Sequence, residues 1–510
     1  MRPVETQGAS KGTAYSGTDV RRSGKGEKSM EPGRLRHIVV LMLENRSFDH
    51  MLGFLKESDP EIEGLKGSES NPTDPALADQ GPVEQVPVSK MAGSDGYVTN
   101  PDPAHEYPDV TLQIFGETPP PSPPVPRNDG FVLSYSKVPD AGGIPVGMAV
   151  GKTIMASCDP VAQLPVLSTL AKEFILCDHW FASVPGPTWP NRFFVHAATS
   201  NGHTNSPSSL SAVKDELGFS TYGMRTIYDS LSEQNLDWTI YYHDFPQSLA
   251  LTNLHSRLDR FRDFGAFLSD VSAGILPAYS FIEPRYFDGI GGKANDQHPP
   301  HDVREGERLI ATVYEALRKN PSLFAQTLLV VLYDEHGGYF DHVPPPSAIN
   351  PDGRLSTDDP PFGFDRLGVR VPAILVSPLV GQGKIDHAVY DHTSIPATVK
   401  KLFGLPRFLT RRDASANTLE AHFSQRLPRD PSRMPDLSAY ADGSASFYAP
   451  PAPSPGSGSF TPFQQSLIDL AHQLNLRSET DGSVHMAQQL TAFRTRQGSG
   501  QGPESSAVRP

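Results

Sequence analysis

The chain has 510 residues, of which 37% are hydrophobic and 9% aromatic, which is enough to bury a large core. Its formal net charge of −14 argues against a nucleic-acid-binding protein, because phosphate backbones require clustered lysine and arginine. Two cysteines, Cys158 and Cys177, cannot build a disulfide framework or a cysteine zinc cluster. We expect both to be small buried residues, and a single disulfide between them stays open.

Nothing in the given sequence predicts export or a membrane span. No apolar run approaches the roughly 18 residues that a membrane-spanning helix needs. Arg21-Arg22 is followed by polar residues, where a twin-arginine signal would need an apolar stretch. We therefore expect a soluble protein with at most peripheral membrane contact. The default location is cytoplasmic, with secretion or a periplasmic location as the alternative.

Composition changes along the chain and predicts four parts. The segment 57–150 is rich in Pro and Gly and has little periodicity, which is typical of a lid, a pocket wall or a disordered insert. In chain order the predicted parts are a flexible N-terminal tail (1–34), a large folded domain that contains this segment (35–405), a C-terminal extension with a linker at 448–459 and one helix at 462–474 (406–477), and a disordered tail (478–510).

Short apolar runs alternate with helical patterns through the large domain. The first run, 38–43, is rich in β-branched residues and is followed by an amphipathic pattern at 48–55. Further runs of this kind lie at 238–242, 278–282, 327–333 and 370–376, and further helical patterns at 164–174, 193–199, 303–319 and 393–403. This alternation predicts an α/β fold with a mostly parallel central sheet and helices on both faces.

Acidic and amide side chains follow two of these runs directly. Glu44-Asn45 ends the first run, and Asp334-Glu335 ends the run at 327–333. Because open α/β sheets bind ligands at the carboxyl ends of their strands, we expect these groups to meet. Such oxygen ligands suit Ca²⁺, Mg²⁺ or Mn²⁺ and tolerate Zn²⁺. The structural alternatives are a helix cap after the first run and a polar turn after the second.

Thr188 is the candidate nucleophile. Pro190 suits the first position of a helix, which places Thr188 at the helix entrance, where free backbone N–H groups bind anions. A hydroxyl at such a place can attack phosphorus if a metal lowers its pKa, and Arg192 can grip phosphate oxygens. A threonine that only caps the helix is the alternative.

Four histidines lie in polar, turn-rich or strand-end contexts: His105, His243, His298 and His342. A departing alkoxide needs a proton, and histidine is the usual donor at neutral pH. Each of them taken alone is more often a structural residue than a catalyst.

Together these motifs resemble the phosphoesterase family that contains the bacterial and plant non-specific phospholipases C and the respiratory-burst-inhibiting acid phosphatase. The matching segments occur in order over about residues 36–405. They are 44–50 with Gly53, 187–192, His298-Pro299 with Asp302, 334–343, 370–372 with Ser377-Pro378, and 391–394.

The resemblance implies an alkaline phosphatase-like fold and one divalent metal ion, with Ca, Mg, Mn and Zn all open. The implied metal ligands are Glu44, Asn45, Asp334, Glu335 and the hydroxyl oxygen of Thr188. The family's histidines correspond best to His105 and His298 and more weakly to His243. Asp341 and His342 match the pattern without an assigned role.

The implied mechanism is attack by Thr188 on phosphorus, proton donation from His298, and hydrolysis of the phosphothreonine by water. Our first interpretation is a phospholipase C that acts on phosphatidylcholine-type diesters. Acid phosphatase activity on monoesters is the alternative, and the partner is a phospholipid or a small phosphate ester. A sulfatase is disfavoured because threonine cannot form formylglycine, and an inactive binding protein because no acid or hydroxyl is lost. The oligomeric state stays open.

Overall fold

A computed structural model describes residues 34–93, 97–122, 124–207, 222–289, 292–358, 360–423, 427–445 and 460–474. The predicted N-terminal tail, apart from Arg34, lies outside the described residues. So do the predicted linker at 448–459 and the predicted tail at 478–510. In the part that is described, no helix is long and apolar enough to cross a membrane.

An eight-stranded sheet forms the centre of the fold. Its strands, named by their place in the chain, are β1 (His37–Leu43), β6 (Ile175–Cys177), β8 (Trp238–Tyr242), β9 (Phe261–Asp263), β10 (Tyr279–Glu283), β11 (Thr327–Tyr333), β12 (Ala373–Val376) and β13 (Lys384–Asp386). Six shorter strands pair outside this sheet: β2 (Ser70–Pro72), β3 (Gln85–Pro87), β4 (Ser89–Lys90), β5 (Ala156–Ser157), β7 (Trp180–Phe181) and β14 (Tyr390–Asp391).

The order of the large sheet is β13-β6-β12-β11-β1-β10-β8-β9. All its pairings are parallel except those of β12, which runs antiparallel to both β11 and β6. Every residue of β11 is buried, as is every residue of β1 after His37. Since successive side chains of a strand point to opposite faces, both faces of the sheet are covered. The predicted mostly parallel α/β fold is confirmed.

Fifteen α-helices are described. They are α1 (Phe48–Leu52), α2 (Tyr107–Phe115), α3 (Phe131–Ser136), α4 (Gly147–Gly151), α5 (Pro160–Gln163), α6 (Pro165–Glu173), α7 (Thr188–Ala197), α8 (Ile227–Glu233), α9 (Phe264–Ala273), α10 (Val303–Arg318), α11 (Pro321–Phe324), α12 (Ser394–Phe403), α13 (Arg411–Ser415), α14 (Ser438–Ala441) and α15 (Pro462–Leu474).

Most predicted elements appear within two residues of their expected bounds, and α15 begins and ends as predicted. The pattern at 48–55 divides into α1 and a 3₁₀ turn, Gly53–Glu57. Helix α7 begins at Thr188, so Pro190 is its third residue rather than its first. Proline is tolerated there because the first N–H groups of a helix have no intrahelical partner.

The Pro/Gly-rich segment 57–150 carries three helices, α2 to α4, and three short strands, β2 to β4. Apolar residues of α2 and α3 form a separate buried cluster with Tyr339 and Phe340, which follow β11. Both cysteines are buried, and no disulfide joins them.

Candidate active site

Strand register brings the predicted acids together. In the parallel pair of β1 and β11, Leu43 lies opposite Tyr333, so the next residues, Glu44 and Asp334, leave the sheet side by side. The backbone N–H of Asn45 donates to Asp334 Oδ1 at 3.1 Å. All three side chains and that of Glu335 are fully buried. The two strand-end motifs therefore form one cluster.

Three carboxylate oxygens of this cluster have no hydrogen bond among the described residues. They are the two oxygens of Glu44 and Oε1 of Glu335. Burial raises the pKa of Glu44 and of Glu335 well above the usual value. The positive charge of Arg192 partly offsets this rise at Glu44, and the charge of His105 partly offsets it at Glu335. Burial also raises the pKa of Asp334. An oxygen-rich, electron-pair-rich cluster of this kind fits a hard divalent cation.

Arg192 on α7 binds two of the acids. Its Nη2 lies 3.0 Å from Glu44 Oε1, and its Nε donates to Asp334 Oδ2 at 3.2 Å. The guanidinium is fully buried, and Nη1 has no hydrogen-bond partner among the residues described. Arg192 therefore fixes Glu44 and Asp334 against each other, and Nη1 is the nitrogen left for another oxygen.

Thr188 is the first residue of α7 and is 1% exposed. Its hydroxyl donates to Asn45 Oδ1 at 3.2 Å. Asn45 has a positive φ of 58°, which asparagine tolerates better than most residues. The turn that ends β1 thus brings the predicted nucleophile and the predicted amide ligand into contact.

His105 and His298 lie beside this cluster, with ring centroids 5.8 Å apart. His105 Nε2 is 3.2 Å from Asn45 Nδ2 and 4.0 Å from Glu335 Oε1. Burial lowers the pKa of His105, but the charges of Glu335 and Asp102 outweigh it and raise the pKa to about 9.

His298 is held in one orientation. Its Nδ1 lies 2.5 Å from the carbonyl oxygen of Pro299, which requires a proton on Nδ1. Its Nε2 has no hydrogen-bond partner in the described part of the chain and lies 3.9 Å from Asp102 Oδ2. Burial and the neighbouring His105 hold its pKa well below the usual value. In this neutral ring Nε2 therefore carries no proton and can accept one.

Glycines close the loop that follows β11. Gly337 has φ +62°, and a Cβ there would lie 2.2 Å from the Asn45 carbonyl oxygen. Its N–H donates to Glu335 Oε2 at 2.6 Å. A larger residue at 337 would push the loop away from Asn45, so glycine is what allows the two strand-end turns to touch.

Residues 35–406 match the Phosphoesterase family. The chain belongs to this family. It is 41% identical over 436 residues to non-specific phospholipase C3 of Arabidopsis thaliana, covering 81% of this chain and 78% of that protein. It is 27% identical over 447 residues to phospholipase C B of Mycobacterium tuberculosis, covering 79% and 80%.

Solved structures give weaker likenesses. The phosphonate monoester hydrolase SpPMH from Silicibacter pomeroyi aligns with a TM-score of 0.28 and 10% identity, over 53% of this chain and 73% of that chain. The family membership rests on the sequence, and it identifies the chain as a phosphoric ester hydrolase.

Within this phosphoesterase, His243 has a different setting from His105 and His298. It follows β8, and its Nδ1 lies 3.1 Å from the Glu283 carbonyl oxygen. Its ring stacks on Phe264 at 4.1 Å between centroids. Burial and the positive charge of Arg285 lower its pKa to about 3. These contacts describe a neutral packed ring, and its catalytic role stays a prediction.

Asp341 and His342 tie the loop after β11 to α1. Arg370 binds Asp341 at 2.9 Å and Asp49 at 3.0 Å, and all three side chains are fully buried. His342 Nδ1 lies 2.6 Å from Asp49 Oδ2 and its Nε2 lies 3.1 Å from Glu63 Oε1. The matched motif residues thus form an ion-pair network that supports the loop.

Sequence reasoning missed two neighbours of the histidines, Asp102 and Phe463. Asp102 lies three residues before His105, a proximity that could have singled it out. Phe463 of α15 stacks on His298 with ring centroids 6.1 Å apart, and it meets Tyr286 at 5.1 Å. The amphipathic pattern of α15 predicted a helix, but no local signal predicts which surface such a helix covers.

Proposed function

We propose that this phosphoesterase is a phospholipase C that hydrolyses phosphatidylcholine-type diesters to diacylglycerol and a phosphorylated head group. Relatives that are about 40% identical to this chain, aligned over most of their length, are named non-specific phospholipases C. The observation that carries the proposal is the contact of the buried Thr188 hydroxyl with Asn45, beside three carboxylates, at the N-terminus of α7. At this place a bound phosphate group would contact both a nucleophilic hydroxyl and the positive N-terminal end of a helix.

One divalent metal ion would be held by the carboxylates, the amide and the hydroxyl, which are Glu44, Asn45, Asp334, Glu335 and Thr188. When bound, such an ion lowers the pKa of a coordinated hydroxyl and neutralises charge on phosphate oxygens. Arg192 keeps Glu44 and Asp334 in their places through the contacts at 3.0 and 3.2 Å. Its free Nη1 would bind a phosphate oxygen.

In the first step, Thr188 Oγ1 would form a bond to phosphorus while the bond from phosphorus to the diacylglycerol oxygen breaks. Nε2 of the neutral His298 would accept the proton of the Thr188 hydroxyl and pass it to the departing oxygen. In the second step, water adds to the phosphothreonine, the bond to Oγ1 breaks, and the phosphorylated head group leaves. His298 would accept a proton from that water and return it to Thr188 Oγ1, which restores the starting state of both residues.

His105 would lie beside the phosphate group and stabilise its negative charge. Its Nδ1 donates to the Pro103 carbonyl at 2.7 Å, which aims Nε2 at Asn45. A positive charge on this ring would stabilise the added negative charge of the phosphorane-like transition state. His105 and His298 therefore divide charge stabilisation and proton transfer between them.

The test compares hydrolysis of p-nitrophenyl phosphorylcholine, a diester, with that of p-nitrophenyl phosphate, a monoester. Each is measured as purified, after chelation and after metal is restored. We expect chelator-sensitive turnover that favours the diester. Preference for the monoester would instead assign the enzyme to the acid phosphatases, and no turnover of either with metal restored would overturn the proposed substrate class.

A further inference from the structure

Asp178, His179 and His387 form a second cluster of metal-ligating side chains, outside the Thr188 site. Their ligand atoms all lie within 4.8 Å of one another. His179 Nδ1 is 2.9 Å from Asp178 Oδ1, and His387 Nδ1 is 3.0 and 2.9 Å from the two oxygens of Asp178. One carboxylate therefore faces two imidazole nitrogens.

The sheet itself brings these residues together. Strands β6 and β13 are parallel, with Cys177 opposite Asp386, so Asp178 and His387 are the next pair in register. The N–H of Asp178 donates to the Asp386 carbonyl at 3.2 Å, which continues the ladder by one step. The cluster thus lies at the carboxyl ends of two parallel strands, as the catalytic acids do on β1 and β11.

Hydrogen bonds from Glu63 and Arg370 hold Asp178 in place. The Glu63 N–H donates to Asp178 Oδ2 at 2.8 Å, and Arg370 Nη1 donates to the Asp178 carbonyl oxygen at 2.8 Å. Outer hydrogen bonds of this kind orient metal-ligating carboxylates. Asp178 is fully buried, whereas the side chains of His179 and His387 are 23% and 51% exposed. Asp178 is therefore held in a fixed position, and the two histidines are accessible from solvent.

We propose that Asp178, His179 and His387 bind a zinc-type transition-metal dication at a surface site distinct from the catalytic centre. Two imidazoles and one carboxylate are a three-ligand zinc set, with solvent completing the coordination. Imidazole nitrogen makes the site a poor one for Ca²⁺ or Mg²⁺.

Geometry permits the exchange of protons for a metal. Ligand atoms around tetrahedral zinc lie about 3.3 Å apart, so each imidazole nitrogen needs to move away from the Asp178 oxygens by only a few tenths of an ångström. His387 can do so because it is half exposed. Binding would displace the proton from each Nδ1, and in the neutral ring that proton moves to Nε2, so both imidazoles remain neutral ligands.

The first measurement is the zinc content of the untagged full-length protein after equilibrium dialysis against ZnCl₂. The double variant His179→Ala with His387→Ala removes the nitrogen ligands. His422→Ala is the matched control, because His422 pairs with Asp386 at 2.7 Å rather than with Asp178. We expect the wild type and the control to hold one equivalent of Zn²⁺ more than the double variant. Equal zinc content in all three would overturn the proposal.

The second measurement is the shift in Tm that Zn²⁺ produces, which does not depend on catalysis. A site that binds the folded state stabilises it, so Zn²⁺ should raise the Tm of the wild type and the control. The double variant should lose that part of the rise. An unchanged rise in the double variant, with its fold intact by circular dichroism, would likewise overturn the site.

Discussion

Arg192 is a fully buried cation between two carboxylates of the candidate active site. Its planar fork reaches Glu44 and Asp334 at once, which the single ammonium of a lysine cannot do. The sequence pointed to Arg192 as a phosphate ligand, since its helix position and charge suited that role. Its contacts with two acids could not be foreseen, because they depend on how α7 crosses the ends of β1 and β11.

The Arg192→Lys variant should bind metal more weakly. Lysine keeps the positive charge but can bind only one of the two carboxylates, so the other is free to rotate. Loss of a hydrogen bond that orients a metal ligand lowers the affinity for the metal by about tenfold to a hundredfold. Isothermal titration of the metal-free enzyme with Mn²⁺ measures the effect. Arg318→Lys, which changes a pair with Glu315 on α10, is the control and should match the wild type. Unchanged Mn²⁺ affinity in Arg192→Lys would contradict the assigned role.

The loop after β11 and helix α1 depend on each other through two kinds of contact. One is the approach of Gly337 to the Asn45 carbonyl, and the other is the network of Arg370 with Asp49 and Asp341. The matching motifs predicted that both segments belong to the site. They could not show that Asp341 and Asp49 share one arginine, because that pairing joins residues far apart in the chain.

Gly337→Ala should destabilise the enzyme more than its backbone conformation alone explains. Alanine at a positive φ costs about 1 kcal/mol, and here a Cβ would also meet the Asn45 carbonyl at 2.2 Å. Gly404→Ala is the matched control, since Gly404 has φ +65° with nothing within 4 Å of its Cβ position. Urea unfolding should show a loss near 1 kcal/mol for the control and a larger loss for Gly337→Ala. Equal losses would contradict the close approach.

His342 should make stability depend on pH in the alkaline range. Burial opposes its charge, but the hydrogen bond and attraction of Asp49 outweigh burial and raise its pKa from 6.5 to about 9. The charged form therefore favours folding, so its contribution is complete below pH 6.5 and is lost as the pH rises through about 9. The full contribution is at most about 3 kcal/mol.

The measurement is the free energy of unfolding of the wild type and of His342→Gln at pH 6.5 and at pH 9. Glutamine keeps a polar side chain but does not titrate. We expect the wild type to lose more stability than the variant between these two pH values. Parallel losses in both proteins would show that another group is responsible.

At the scale of the whole molecule, the ends of β1 and β11 and the first turns of α7 meet in one buried cluster. Local patterns predicted the sheet, its main helices and the acids at strand ends, because burial and periodicity are properties of short segments. The antiparallel direction of β12 and the stacking of Phe463 from α15 on His298 had no such signal. Both depend on where a segment returns in space. The insert that carries His105 could be described only as a wall, a lid or disorder for the same reason.

The central claim is that Thr188 is the nucleophile, and the most direct measurement is the turnover of p-nitrophenyl phosphorylcholine by Thr188→Ala and Thr188→Ser. Serine keeps the hydroxyl at the N-terminus of α7 and should retain activity. Alanine removes it and should lower kcat by a factor on the order of 10³ or more. Acid-quenched peptide mapping should find phosphorylation at position 188 in the wild type and the serine variant. Turnover by Thr188→Ala at the wild-type rate would contradict the account.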